Sequence, residues 1–435
     1  MSGIKTPQEN DCSALFLDLN SYFASVEQNE NPALRGKPVA VVPMMTDATC
    51  AIAASYEAKA YGIRTGTKIY DAKRMCPHLV CVLARHDMYV RYHHRILEAT
   101  DKHLPVKKIW SIDEFHCELI GRQRNPENAR AIAQAIKRQI WRDVGPAINC
   151  SIGIAPNSFL AKLATDMQKP DGLVMLRPDD LPGRLLDLEL KDLPGINVRM
   201  EERLFKNGVR SIEDLWNISP KQARAIWSSV GGERFWYWLR GYDMPTPETS
   251  SCMVGHSRVL DPDLRTPEKA RLMARRLLYK ATLRLRRKGF CAGSLALGVR
   301  FLDGRKWAAE VQFHAAQDPF TFLSHLDDLW KAMTVEYFGV LPEDMPNWMI
   351  CKKVSVILGR LQKPDVVTDD LFDTAIEDVR EKLSKRESLT AAMERLNKKY
   401  EKETVSVGLP PKTLAGHVGT KIAFSRVPDM EEFAE

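Results

Sequence analysis

Nine cysteines are scattered through 435 residues, and no two of them form a Cys-x-x-Cys pair. The number is odd, which excludes a complete disulfide framework and makes reduced thiols in a cytosol the expectation. Cys76 and Cys81 flank His78, but their spacing is wrong for a zinc knuckle and no second pair exists to complete one. No apolar run approaches a membrane span, and the opening MSGIKTPQENDCSA has no apolar signal core. The expectation is therefore a cytoplasmic chain with no membrane contact. No internal repeat is evident.

One absence is local. Residues 271–290, RLMARRLLYKATLRLRRKGF, hold eight basic side chains and not one acidic. The whole chain carries +7; residues 253–360, with 18 Lys and Arg against 11 Asp and Glu, carry as much alone. Residues 361–435, with 12 against 15, are mildly acidic. A polyanionic partner fits this imbalance. Arg276, Lys280, Arg284 and Arg287 recur at helical spacing, while Leu272, Leu278 and Leu285 can face a sheet. Such a stripe grips phosphate backbones without reading sequence, and its affinity falls steeply with salt.

What is present, 44% hydrophobic and 27% charged residues, is the composition of a soluble globular protein. Its length implies two to four domains. SALFLDL (13–19) predicts a buried strand, and the following NSYFASVEQ a helix capped by Asn20 or Ser21. KPVAVVP predicts a strand, and AASYEAKAYG and IYDAKRMCP two short helices. A longer helix over 86–103, the amphipathic NARAIAQAIKRQIWRDVG, the strand NCSIGIA and the helix NSFLAKLATDMQ follow. Strands and helices alternate without a regular βαβ rhythm, so an α+β core is expected. Residues 177–243 look helical, and LPGI within them suits a helix-hairpin-helix turn whose backbone N–H at Gly195 can hold a phosphate. DMPTPETSSCMVG (243–255) reads as a linker. After it come strands near 253–259, 291–302 and 307–314 with two helices, then a charged helix at SLTAAMERLNKKYEKE.

The unusual stretch is KIWSIDEFHCEL (108–119), which sets Asp113 and Glu114 side by side in an apolar strand, expected to be the middle one of its sheet. Ionised carboxylates are costly to bury without compensation. Asp18, ending the first strand, is a third. Neighbours in a strand point to opposite faces, so Asp113 and Glu114 converge only near a strand end or bulge. Three carboxylates in an apolar sheet call for divalent cations, and Mg²⁺ is the hard, oxygen-loving choice. Two such ions about 4 Å apart suit an in-line phosphoryl displacement.

FLDLNSYFASVEQNENPALRGKPVAV, AASYEAKAYGIRTG, WSIDEFHCEL and CSIGIAPNSFLAKLATDMQKPDG occur in this order. Together they resemble the Y-family DNA polymerases, most closely the bacterial DNA polymerase IV branch, over residues 12–360. The resemblance implies a right-hand polymerase: a ferredoxin-like palm at 12–18 and 85–176, small fingers at 19–84, and a helical thumb at 177–243. A linker at 244–254 would lead to an α+β little finger at 255–360, and 361–435 would be a tail. It further implies that Asp18 and Asp113 bridge two Mg²⁺ ions and that the Leu19 carbonyl binds the nucleotide-side one. Glu114 would complete the ion that activates the primer 3′-hydroxyl. Phe23 falls at the steric gate against a 2′-hydroxyl, and Tyr56, Lys59 and Lys169 at positions that grip the triphosphate.

Primer-template DNA and dNTPs are the implied partners, and a monomer acting on the bacterial nucleoid the implied state. Leu371 and Phe372, in VVTDDLFD, faintly resemble the peptides that dock on the sliding clamp, without their leading glutamine. Asn20 stands where many relatives have a second acid, Lys59 where they have arginine, and Phe115-His116 where they have a small residue and tyrosine. Slower or differently selective synthesis follows from these departures. His116 is expected to be a satisfied core histidine. The other readings are a catalytically weak DNA-binding accessory protein and a nucleotide cyclase. The first need not keep the carboxylates, and the second leaves the basic segment unexplained.

Overall fold

A computed structural model describes residues 12–244, 252–340, 350–364, 377–400, 405 and 427–428. Leu371 and Phe372, and residues 245–251 of the expected linker, lie outside these. The chain divides into two units, 1–247 with 420–433, and 248–419 with 434–435.

The first unit runs β1 (Ala14–Leu19), α1 (Tyr22–Glu30), β2 (Val39–Val42), β3 (Ala53–Ala54), α2 (Tyr56–Ala60), α3 (Ile69–Met75), β4 (Val80–Leu83), α4 (His86–Asp101), β5 (Val106–Ile109), β6 (Glu114–Glu118), α5 (Pro126–Asp143), β7 (Cys150–Ala155), α6 (Ser158–Met167) and β8 (Leu173–Met175). Helices α7 (Val198–Lys206), α8 (Ile212–Asn217), α9 (Pro220–Trp227) and α10 (Val230–Leu239) complete it. Its main sheet has the order β5-β6-β1-β7-β8, antiparallel except for β7 with β8. The central strand is therefore β1, and the acidic strand β6 is its neighbour, which corrects the expected placement.

Every residue of β1 is buried, because each face meets a different core. Leu15, Leu17 and Leu19 join α1, α4 and α5 on one side. Ala14 and Phe16 join α6 and the segment 176–239 on the other. Asp18 shares the parity of Ala14 and Phe16 and so belongs to the α6 side. In α5 the buried residues Ala129, Ala133, Ile136 and Ile140 form one stripe. Its start is set by Pro126 and by the Asn125 side chain, which accepts from Glu127 N at 3.0 Å. Gly153 of β7 lets α6 approach: a Cβ there would stand 2.0 Å from the Ala161 carbonyl oxygen. A separate sheet of order β3-β2-β4 packs on α2 and α3 around Ala40, Val42, Ile63 and Ile69. Ahead of LPGI the expected helix is only a 3₁₀ turn, Leu190–Asp192, and Gly195 itself is exposed at φ +90°.

The second unit contains β9 (Val254–Val259), α11 (Pro267–Arg287), β10 (Cys291–Phe301), β11 (Lys306–Ala316), α12 (Pro319–Met333), β12 (Cys351–Gln362) and α13 (Glu377–Lys399). Its sheet is antiparallel, ordered β11-β10-β12-β9. Strand β12 was not anticipated, although Val354, Val356 and Leu358 alternate as a half-buried strand requires. It lies between β10 and β9, so the unit extends beyond residue 360. Helices α11 and α12 cover one face, packing Leu278, Leu285, Phe322 and Trp330 on Leu295, Leu297 and Val356. The other face carries Ala296, Gly298, Ala308, Ser257 and Ser355, with Lys306, Arg300 and Lys353 in one cross-strand row at its end. The charged tail helix begins at 377, well ahead of its expected start, and meets α11 through an Arg286–Glu394 ion pair at 2.6 Å. No helix among the described residues is long and apolar enough to cross a membrane.

Candidate active site

Asp18 and Glu114 are direct cross-strand partners in the β1–β6 ladder, and their side chains therefore share a face. Asp113 lies in the bend before β6, outside the pleat, which frees it from pointing the opposite way. Its carbonyl accepts from Leu19 N at 2.9 Å, binding that bend to the end of β1. The bend is held from behind by His93, buried on α4, whose Nδ1–H donates to the Ile112 carbonyl at 2.7 Å. Burial pushes the His93 pKa down to about 4, so the ring stays neutral there.

Asp18 is 5% exposed and ion-paired with Lys162 and, at 2.9 Å, with Lys169. Burial raises its pKa, but the two ammonium groups outweigh that and hold it below the usual value. Glu114 also meets Lys162, at 2.9 Å, yet burial leaves its pKa raised. Asp113 accepts from the Ser111 hydroxyl, and burial, with Asp18 nearby, raises its pKa too. Lys162, itself raised against the pull of burial, thus supplies one positive charge to Asp18, Glu114 and Asp166. Among the described residues, no three Asp, Glu, His or Cys side chains converge tightly enough to ligate one ion. The Lys162 ammonium stands between Asp18 and Glu114 instead. The donor set still suits a hard cation: all are oxygens, and burial leaves Asp113 and Glu114 short of positive charge.

Lys162 was missed from the sequence. Its signal was its spacing: four residues before Asp166 on the same face of α6, and seven before Lys169, which lies just past the end of that helix. Lys169 pairs with Asp166 at 2.7 Å as well as with Asp18. Its loop is tied to β1 through Asn20, whose Oδ1 accepts from Asp171 N at 2.7 Å and whose Nδ2 donates to Ser151 Oγ at 3.1 Å. Asn20 caps no helix; the cap position is Ser21, in a left-handed conformation at φ 49°. On α2, the Lys59 ammonium lies 4.3 Å from the Tyr56 ring centroid. Burial, and then the charge of Lys169, lowers the Lys59 pKa, while Asp18 opposes. Tyr56, Lys59, Lys169 and Asp18 therefore share one electrostatic neighbourhood. Phe23 stacks on Tyr89. His116 is buried and accepts from Trp110 Nε1–H at 3.0 Å, its pKa pushed down to about 4, chiefly by burial.

The basic stripe is less uniform than expected. Arg276 is 3% exposed and cannot lie on an open face, Lys280 and Arg284 are half-buried, and only Arg287 is exposed. Other arginines of α11 are ion-paired to neighbouring helices: Asp327 of α12 pairs with Arg271 at 3.0 Å and with Arg275, and Glu394 of α13 with Arg286.

Residues 17–166 match the impB/mucB/samB family and residues 253–371 that family's C-terminal domain. The chain is 33% identical to a DNA polymerase IV of Moorella thermoacetica over 369 residues, 83% of this chain and 89% of that one. It is 28% identical to DNA polymerase IV 1 of Bacillus subtilis over 408 residues, 90% and 91% of the two chains. Among solved structures it is similar in fold to a Dbh–Dpo4 Y-family DNA polymerase chimera, with a TM-score of 0.67 and 23% identity. That match covers 81% of this chain and 99% of the chimera. An insertion ternary complex of Dbh DNA polymerase matches with a TM-score of 0.53, at 23% identity, over 81% of this chain and 99% of that one.

Proposed function

The chain belongs to the impB/mucB/samB family, the Y-family DNA polymerases of the polymerase IV type, and we infer that it extends a primer under template direction in translesion synthesis. The reaction is metal-dependent nucleotidyl transfer on a right-hand α+β fold. The observation that carries the site assignment is the pairing of Asp18 with Glu114 across β1 and β6, with Asp113 tied to the same strand end. On this reading Asp18, Asp113 and Glu114, with the Leu19 carbonyl, hold two Mg²⁺ ions. When bound, the ions would lower the pKa of the primer 3′-hydroxyl and neutralise the departing pyrophosphate.

The chain's own groups do the rest. Lys162 and Lys169 hold the Asp18 pKa below its usual value, so Asp18 is an ionised acceptor at neutral pH. Lys169, Tyr56 and Lys59 hold the triphosphate, a point charge at Lys59 replacing the bidentate grip of an arginine. Phe23 excludes a ribose 2′-hydroxyl by occupying its space. We assign 12–18 with 85–176 to the palm, 19–84 to the fingers and 177–243 to the thumb, with Gly195 at a phosphate-binding turn. The little finger, 255 to the end of β12, holds the duplex. Arg300, Lys306 and Lys353, one row across β11, β10 and β12, are the proposed phosphate contacts, with Lys280, Arg284 and Arg287 of α11 as flanking charges. A monomer on chromosomal DNA in the bacterial cytoplasm, with clamp docking through Leu371 and Phe372, completes the proposal.

The test is primer extension with Mg²⁺ and single dNTPs on wild type and Asp113→Ala/Glu114→Ala. Templated extension by wild type, reduced by about three orders of magnitude or more in the double variant, supports the assignment. Equal extension by both removes the carboxylates from the chemistry. No extension by either, with primer-template still bound, would revive the accessory-protein reading, which the intact carboxylates disfavour.

A further inference from the structure

The ring of Phe23 rests on a built platform. It is stacked on Tyr89 of α4, with centroids 4.3 Å apart and planes 13° from parallel, and His86 meets it edge-on at 6.1 Å. Tyr89 is fully buried, and its hydroxyl donates to Glu27 Oε1 at 2.8 Å. Glu27 sits four residues beyond Phe23 on α1, hence on the same helical face. Arg85 grips both carboxylate oxygens, Nε to Oε1 at 3.1 Å and Nη2 to Oε2 at 2.6 Å. Tyr22, next to Phe23, donates its hydroxyl to the Tyr89 carbonyl at 2.6 Å.

These contacts close a ring: Phe23 to Glu27 along α1, Glu27 to Tyr89 by hydrogen bond, and Tyr89 back to Phe23 by stacking. Glu27 is 2% exposed, and a carboxylate so buried is costly unless its acceptor sites are filled. Here three donors fill them, all from the cap and first turn of α4. A plain tether between α1 and α4 could be made from apolar packing alone. A bidentate ion pair adds a fixed direction, and that direction sets the plane of Tyr89.

We propose that the Glu27–Arg85 pair is a positioning device for sugar selection, holding Tyr89 and through it the height and tilt of Phe23. The proposal rests on the reading of Phe23 as the group that excludes a 2′-hydroxyl. Steric exclusion of one oxygen atom depends on where the ring stands, and an unsupported ring leaves its rotamer at small cost. Loosening the platform therefore admits ribonucleotides while leaving deoxynucleotide chemistry intact.

The experiment is single-nucleotide primer extension, giving the ratio of kcat/KM for a dNTP to that for its matching rNTP. Glu27→Gln, Arg85→Met and Tyr89→Phe are compared with wild type, and Phe23→Ala serves as the reference. Glu27→Gln and Arg85→Met are expected to lower the ratio about tenfold, with dNTP insertion within about threefold of wild type. Tyr89→Phe, which keeps the ring and loses one hydrogen bond, lowers it about threefold. Arg85 is 41% exposed at its side chain, so Arg85→Met decides the question if Glu27→Gln does not fold. Melting temperatures are measured in parallel. A lower melting temperature with an unmoved ratio makes the pair a structural tether and overturns the proposal. If Phe23→Ala lowers the ratio and the pair variants do not, the proposal fails and the reading of Phe23 stands. If Phe23→Ala leaves the ratio unchanged, that reading falls, and the proposal with it.

Discussion

The Lys162 ammonium lies 2.9 Å from the Glu114 carboxylate, on the sheet face that Asp18 also occupies. A cation from α6 is thus shared by carboxylates of two adjacent strands, and its single charge cannot compensate them all.

Lys162→Met removes the positive charge common to Asp18, Glu114 and Asp166. Breaking a largely buried ion pair from one side is expected to cost about 2–4 kcal/mol without divalent cation. Mg²⁺ should recover more melting temperature in the variant than in wild type, since its like charges then gain a counterion. Thermal unfolding with and without Mg²⁺ checks this; equal gains in the two proteins would refute it.

Asp113 has a raised pKa because it is buried without an ammonium partner as close as those of Asp18. A carboxyl raised in the folded state stabilises fully below its unfolded value, near 3.8, and that stability is lost as pH rises through the folded pKa. Asp113→Asn should therefore raise stability at neutral pH by roughly 1 kcal/mol while abolishing extension. The gain should disappear at pH values below 3.8. Unfolding of both proteins across that pH range is the measurement.

Asn20 anchors the loop that carries Lys169 by accepting from Asp171 N. Asn20→Asp keeps the acceptor and loses the donor to Ser151, whereas Asn20→Ala loses both. The KM for dNTP should rise about tenfold in the alanine variant and distinctly less in the aspartate one. Steady-state kinetics on one template distinguishes them, and equal KM values would detach Asn20 from nucleotide binding.

Arg300→Ala and Lys353→Ala should each weaken duplex binding and reduce the slope of log affinity against log salt by about 1. Arg286→Ala should leave that slope unchanged and cost about 1 kcal/mol of stability, because its partner is Glu394. Fluorescence anisotropy across a salt series reads the first, and chemical denaturation the second.

Much of the site is legible in the amino-acid sequence, because it depends on local patterns. An apolar strand ending in Asp18, an apolar run interrupted by Asp113-Glu114, and Lys169 beside Pro170 after an apolar helix each carry their meaning within a few residues. Amphipathic periodicity placed α5 and α6 because burial of one helical face is a local demand. What remained hidden was non-local. Only the β1–β6 register decides that Asp18 faces Glu114, since a slip of one residue would turn either side chain to the other face. Only the packing of α6 on β7, permitted by Gly153, brings Lys162 to those carboxylates. Residues 271–290 lack acids in sequence, yet Asp327 and Glu394 arrive from other helices to pair with their arginines. Composition and period determine which elements form and which residues carry charge. Which charges meet depends on contacts between residues distant in the chain, and those the tertiary structure alone decides.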